Sequence, residues 1–219
     1  LPISTGVSGL AANVATFLAT PSSANLAAAV TDEAGSGTVI FSSAVIGKEK
    51  IWVPVTQMTA TTANAAAVGS IDKGAAKPII ATRDFDTTTG EFMQFSVAMP
   101  NNWNLGTVTA IFVWAHGATT VNFGTAFGLR GVALSNDDAI DAAFGTAVVA
   151  VDTGGTTDDL YRTPETGAIT IAGTLAAGDV VSFEVLRDVA DGGDTLAVDA
   201  RLIGVELYYT TVTTALQGA

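Results

Sequence analysis

The chain has no cysteine and a single histidine, His116. Without cysteine there is no disulfide framework and no thiolate to hold zinc. Basic residues are scarce. Nine Lys and Arg stand against 21 Asp and Glu, a formal net charge of −12. The nine are scattered along the sequence, whereas a phosphate-binding face needs them clustered. Nucleic acid is therefore not an expected partner. Long apolar runs are missing too. None approaches the roughly 20 residues of a membrane helix, so no membrane insertion is expected. No stretch has the charged start and apolar centre of a secretory signal. The first residue is Leu1 rather than Met, which predicts a fragment or a processed chain.

What the sequence does contain is small and β-prone. Ala, Thr and Gly supply roughly two-fifths of the 219 residues, well above ordinary usage. Mean hydropathy is +0.44. That length and hydropathy support a sizeable core, and they argue against a disordered chain.

Residues 1–46 carry no Lys or Arg. Val7, Leu10, Val14, Phe17 and Leu18 fall on one stripe, which predicts a helix ending before Pro21. Ser22 or Ser23 can cap a second short helix over Ala24 to Val30, and Gly37 to Phe41 reads as a strand. Short helices with narrow apolar stripes are marginal alone. Residues 1–46 are therefore expected to form a helical oligomerisation stem, closed by copies of itself, with packing on the chain's own β domain as the alternative.

Residues 47–211 read as β. Phe95, Val97 and Met99 alternate with Gln94, Ser96 and Ala98, and Val181, Phe183 and Val185 alternate with polar neighbours. Ser182 and Glu184 fall on the opposite, outward face. Thr107 to His116 is apolar on both faces, which predicts a central strand. Ile169 and Ile171 share a face. Parity switches beside Gly204, which predicts a bulge or bend. Thr59 to Gly74 reads as a loop, and Asn136 to Phe144 as a short helix. The expected fold is all-β, a jelly-roll-like sandwich of about eight antiparallel strands. Residues 212–219 read as a frayed tail.

Catalytic signals are weak. No Gly-x-Ser-x-Gly elbow accompanies His116, which reads as structural. Gly124 to Gly131 is glycine-spaced, but no phosphate-loop Lys follows. The pairs Asp84/Asp86, Asp137/Asp138, Asp158/Asp159 and Asp191/Asp194 read as solvated turns and caps. Asp188 to Asp194 resembles a calcium loop in composition but not in spacing. The expectation is no catalysis, no metal and no cofactor.

A resemblance adds to this. The run from Ala15 to Phe41, Ala-Thr-Phe-Leu-Ala-Thr-Pro-Ser-Ser-Ala-Asn-Leu onward, resembles a segment of tailed-bacteriophage fibre proteins. Trp103 to Trp114 and Asp152 to Tyr161 are similar to the globular C-terminal modules of such virion proteins. The resemblance implies a homotrimeric tail or head fibre in the virion, joined to other virion proteins. It also implies a tip that meets a host-surface glycan or protein. A virion part with a purely structural role, such as a head fibre, collar or capsid decoration, is the alternative. The family offers no catalytic motif to carry over.

Within this frame the expected ligand-binding residues lie in loops. Trp103 follows Asn101 and Asn102, and Tyr161 follows Asp158 and Asp159. Rings of this kind can stack on the apolar face of a sugar. Between Arg130 and Arg162 there are Asp residues and no base. That one-signed field favours a neutral or cationic ligand.

Overall fold

The computed structural model describes residues 12–20, 22, 25, 47–117 and 123–212. The chain divides into two units, Leu1–Val45 and Ile46–Ala219. In the first, α1 (Ala12–Ala19) covers the second half of the expected stripe. Val14 and Phe17 are half-buried and Leu18 is exposed. The expected strand over 37–41 and the tail beyond 212 lie outside the described residues, as does nearly all of the expected second helix.

The second unit contains eleven strands among its described residues. They are β1 (Lys48–Pro54), β2 (Thr59–Ala60), β3 (Ala67–Asp72), β4 (Ile79–Phe85), β5 (Phe92–Ala98) and β6 (Trp103–His116), then β7 (Phe123–Leu134), β8 (Val148–Gly154), β9 (Tyr161–Arg162), β10 (Val180–Arg187) and β11 (Ala200–Thr211). The first sheet runs β3-β4-β11-β6-β9, with β1 also on β11. The second runs β2-β5-β10-β7-β8.

The last eight strands pair as nested antiparallel partners: β4 with β11, β5 with β10, β6 with β9, and β7 with β8. Successive pairs fall in alternate sheets. That wrapping is a jelly roll. The three earlier strands extend it. β4 and β1 lie end to end along one edge of β11. β4 pairs with Ala200–Leu202 and β1 with Gly204–Thr210.

The core lies between the sheets. Phe85 and Phe112 of the first sheet meet Phe127 of the second at 5.6 and 5.5 Å. Phe95 stacks on Phe183 at 5.1 Å. Val181, Phe183 and Val185 point inward as their alternation requires. The register of β11 shifts between Leu202 and Gly204, so inward positions change from even to odd residues there. Ile169 and Ile171 are buried, but their segment makes only isolated bridges, to Val108 and Val132.

Two expectations are corrected and a third is refined. The stretch 59–74 is not a loop throughout, because it forms β2 and β3. Residues 136–144 are not helical. Asp138 accepts a bond from the Ser135 amide at 2.9 Å, and Asp137 adopts φ 67°. A side chain that captures the local backbone, followed by a left-handed residue, stops helix growth. Glu184 points outward, yet it is buried, because Arg130 and Gln94 close over it.

Candidate functional site

The structure divides the expected ligand-binding residues between the two ends of β6. Asn101, Asn102 and Trp103 lie at its start, opposite Thr211. Asp158, Asp159 and Tyr161 lie near its far end, where Tyr161 pairs with Trp114. Trp103 and Trp114 are eleven residue steps apart along the strand, about 35 Å. The two groups do not form one site.

Trp103 is not a surface platform. It is 1% exposed. Leu105 adopts φ 57°, and this left-handed residue shifts the alternation of β6. The odd-numbered Trp103 therefore joins the inward set of Val108, Ala110, Phe112 and Trp114. Tyr161 is half-buried. Its hydroxyl donates to the Thr156 carbonyl at 2.7 Å and accepts the Gly155 amide at 3.0 Å. Its ring packs on Trp114 at 5.0 Å and on His116 at 5.6 Å. His116 is fully buried among these rings and Phe123. Asp158 holds φ 59° and pairs with Lys73 and Arg201. Asn102 is tied to Tyr209 and Glu49, while Asn101 and Asp159 are exposed.

The exposed aromatic ring lies elsewhere. Along β1, Lys48, Lys50 and Trp52 point away from the core, while Val53 is buried within it. Trp52 is 43% exposed and is the one exposed aromatic among the described residues. Its six-membered ring lies over Gly204. A Cβ at that position would come within 2.3 Å of the ring and 2.8 Å of the Val53 carbonyl. Only glycine leaves room for the indole to rest there.

Antiparallel register assembles polar groups around this ring. Trp52 stands directly opposite Glu206, and Lys50 opposite Tyr208. On the other side of β11, Arg162 arrives from β9 past Val113. Glu206 accepts bonds from Lys50 at 3.1 Å, from the Tyr208 hydroxyl at 2.8 Å, and from Arg162. Burial alone would raise the Glu206 carboxyl. The bonds from Tyr208 and Lys50 and the charge of Arg162 outweigh it and hold the group below its ordinary value. Lys48 pairs with Glu165, which also accepts from Thr109. These contacts lower the Glu165 carboxyl, the Lys48 bond most. The Lys48 ammonium also sits 4.8 Å from the Tyr208 ring centroid. Trp52 is thus the open ring, and fixed donors and acceptors surround it.

A second concavity of about 390 Å³ lies at the other end of β11, lined by residues including Asp84, Thr87, Gly117, Asp199 and Arg201. It is acid-rich. Burial, with the charges of Asp86 and Asp84, raises Asp199. Burial also raises Glu91, with Asp86 and Asp199 adding to it. Asp86 is drawn down to about 2, first by the Thr88 amide. Beneath it lies Arg187, whose side chain is fully buried and paired with Asp194 at 2.8 Å. The guanidinium also donates to the carbonyls of Phe85, Asp86, Leu196 and Val198. Asp194 is therefore not the solvated turn residue its sequence context implies. Among the described residues, no cluster of three metal-ligating side chains occurs.

The sequence carried a signal for Trp52. Lys48, Lys50 and Trp52 share one parity, and Ile51 and Val53 share the other. Arg162 and Glu206 could not be assigned to the same site, because the pairing that joins them is nonlocal.

No family model and no curated protein matches this chain. Solved structures of similar strand arrangement do exist. A CBM35 module from Cellvibrio japonicus Abf62 is 9% identical, with 73% of this chain and 92% of that chain covered and a TM-score of 0.41. The CBM22-2 xylan-binding domain of Paenibacillus barcinonensis Xyn10C is 9% identical, with 73% and 98% covered and a TM-score of 0.43. A chain of infectious bursal disease virus Gx strain is 10% identical, with 78% and 33% covered and a TM-score of 0.32. These are likenesses of fold and carry nothing about ligand.

Proposed function

We propose that this chain is a non-catalytic adhesive module of a tailed-bacteriophage fibre, and that it holds a host-surface glycan against the outer face of β1 and β11. The observation that carries the glycan reading is Trp52. An indole that rests on Gly204 and stays nearly half exposed leaves an apolar surface open to solvent. A sugar ring offers one apolar face to such a surface and a rim of hydroxyls to its surroundings. Lys50, Glu206 and Arg162 are fixed on one another beside the ring, so little ordering is required when hydroxyls arrive.

The virion setting rests on the sequence resemblance over residues 15–41, 103–114 and 152–161. The homotrimer rests on the apolar stripe of residues 7–18, which three copies can close around an axis. Three copies of one weak site would multiply its strength through avidity by about 10² to 10⁴.

A glycan array probed with the full chain tests the reading. Binding that Trp52→Ala abolishes supports it. Absence of binding by the folded wild type leaves the purely structural virion role. Light scattering tests the trimer, and a stable monomer at micromolar concentration would sink it. A label on this chain in the intact particle tests its place there.

A further inference from the structure

We infer that the sugar held at Trp52 carries a carboxylate, and that Arg162 and Lys50 receive it. The inference rests on the reading of this face as a glycan site. It departs from the expectation of a neutral or cationic ligand, which follows from the Asp residues between Arg130 and Arg162.

The local charge differs from the net charge. Three of the nine basic residues, Lys48, Lys50 and Arg162, stand at the Trp52 end of this face, while Arg201 at the other end is answered by Asp84 and Asp158. Two carboxylates, Glu165 and Glu206, answer the first three. Lys48 is occupied by Glu165 and by the ring of Tyr208. The surplus positive charge therefore belongs to Lys50 and Arg162, which share Glu206. Depth makes that surplus available. The Glu206 side chain is 8% exposed, whereas those of Lys50 and Arg162 are 45% and 48% exposed. The anion lies underneath and the cations lie on top.

Register then places the surplus beside the stacking surface, since Trp52 is directly opposite Glu206. Opposed residues have Cβ atoms about 5 Å apart, so a sugar on the indole carries its ring substituents over the cations. A carboxylate there meets the planar guanidinium of Arg162, whose five N–H donors suit two-point recognition. One carboxylate balances one surplus charge. A dense polyanion gains nothing more, because the chain's net −12 opposes its remaining charges. The ligand class is an acidic sugar unit spaced among neutral ones.

Titration calorimetry of the full chain, in EDTA to exclude metal bridging, tests this with matched pairs. The probes are galacturonate oligosaccharides beside their methyl esters, and sialyllactose beside its methyl ester. The expected result is at least about tenfold tighter binding of an acid than of its ester. Arg162→Gln should bring that ratio near one. Trp52→Ala should abolish binding of both. Should Arg162→Gln fail to fold, salt supplies the second measurement on the wild type. Raising NaCl from about 50 to 500 mM should weaken acid binding severalfold and leave ester binding unchanged. Equal affinity for acid and ester overturns the carboxylate and leaves the glycan site standing. Binding of neither, with an empty glycan array, removes both.

Discussion

The two ends of β11 show opposite electrostatics on one strand. Around Glu206, a buried carboxylate is shared by two exposed cations, and its affinity for protons is lowered. Around Asp199, burial first and neighbouring carboxylates second raise the proton affinities of Asp199 and Glu91. Even so, the acid-rich end contains the most buried ion pair among those described, Arg187 with Asp194. A net charge of −12 describes neither end. Where a chain has few cations, their placement decides which surface receives an anion. Their burial decides which one holds the fold together.

The largest effect expected from this contrast is on stability. Arg187→Met leaves Asp194 charged and unpaired in the interior and removes the donors that pin four backbone carbonyls. Loss of one partner from such a pair costs about 3–5 kcal/mol. Lys48→Met on the outer face should cost less than about 1 kcal/mol, as exposed pairs do. Urea denaturation of both variants measures the difference, and equal midpoints would erase the contrast.

Gly204→Ala should have an intermediate effect. Its methyl group would strike the Trp52 ring and the Val53 carbonyl. Overpacking of this kind costs about 1–3 kcal/mol. The indole should also leave its seat, seen as a red shift of tryptophan emission and, on the proposed glycan reading, a loss of glycan binding. Unchanged emission would mean that Trp52 does not depend on Gly204.

The smallest effect is the response to acid, and the two ends should differ in sign. Glu165 and Glu206 are lowered below their ordinary 4.5. Their stabilisation is present above pH 4.5 and is lost as pH falls through their lowered values. Asp199 and Glu91 are raised above 3.8 and 4.5. They penalise the folded state above their raised values, and acid relieves that penalty. Melting curves between pH 7 and 3 should therefore show Glu165→Gln blunting the acid loss. Asp199→Asn should instead raise stability at pH 7 and leave less to gain from acid. The same shift in both variants would refute the assignment.

Much of the fold was legible in the sequence because alternation is local. Val181, Phe183 and Val185 set the inward face of β10, and the parity switch at Gly204 marked the register shift in β11. The short strands were not legible. β9 is two residues long, and Thr163 and Thr166 then support β6 through their hydroxyls, which accept the Phe112 and Ala110 amides at 3.0 Å. Threonine in that role leaves no period to read. Trp103 was misplaced for a related reason. Its inward direction depends on the left-handed Leu105, which no pattern of apolar residues reveals. The candidate site was half legible. Trp52 and Lys50 share a readable parity, whereas Glu206 and Arg162 join them only through three strand pairings, β1–β11, β11–β6 and β6–β9.

The sandwich begins and finishes at one corner. The Thr211 amide donates to the Gly47 carbonyl at 2.8 Å, the Gly47 amide donates to the Thr211 hydroxyl at 2.9 Å, and Lys48 pairs with Thr210. Under mechanical load this arrangement responds according to where it is held. Tension between Gly47 and Thr211 opens the β1–β11 ladder like a zip, one bonded pair at a time, and each pair resists alone. Tension between Gly47 and Ala200, at the far end of β11, acts along the strands instead. It loads several rungs of the ladder together in shear.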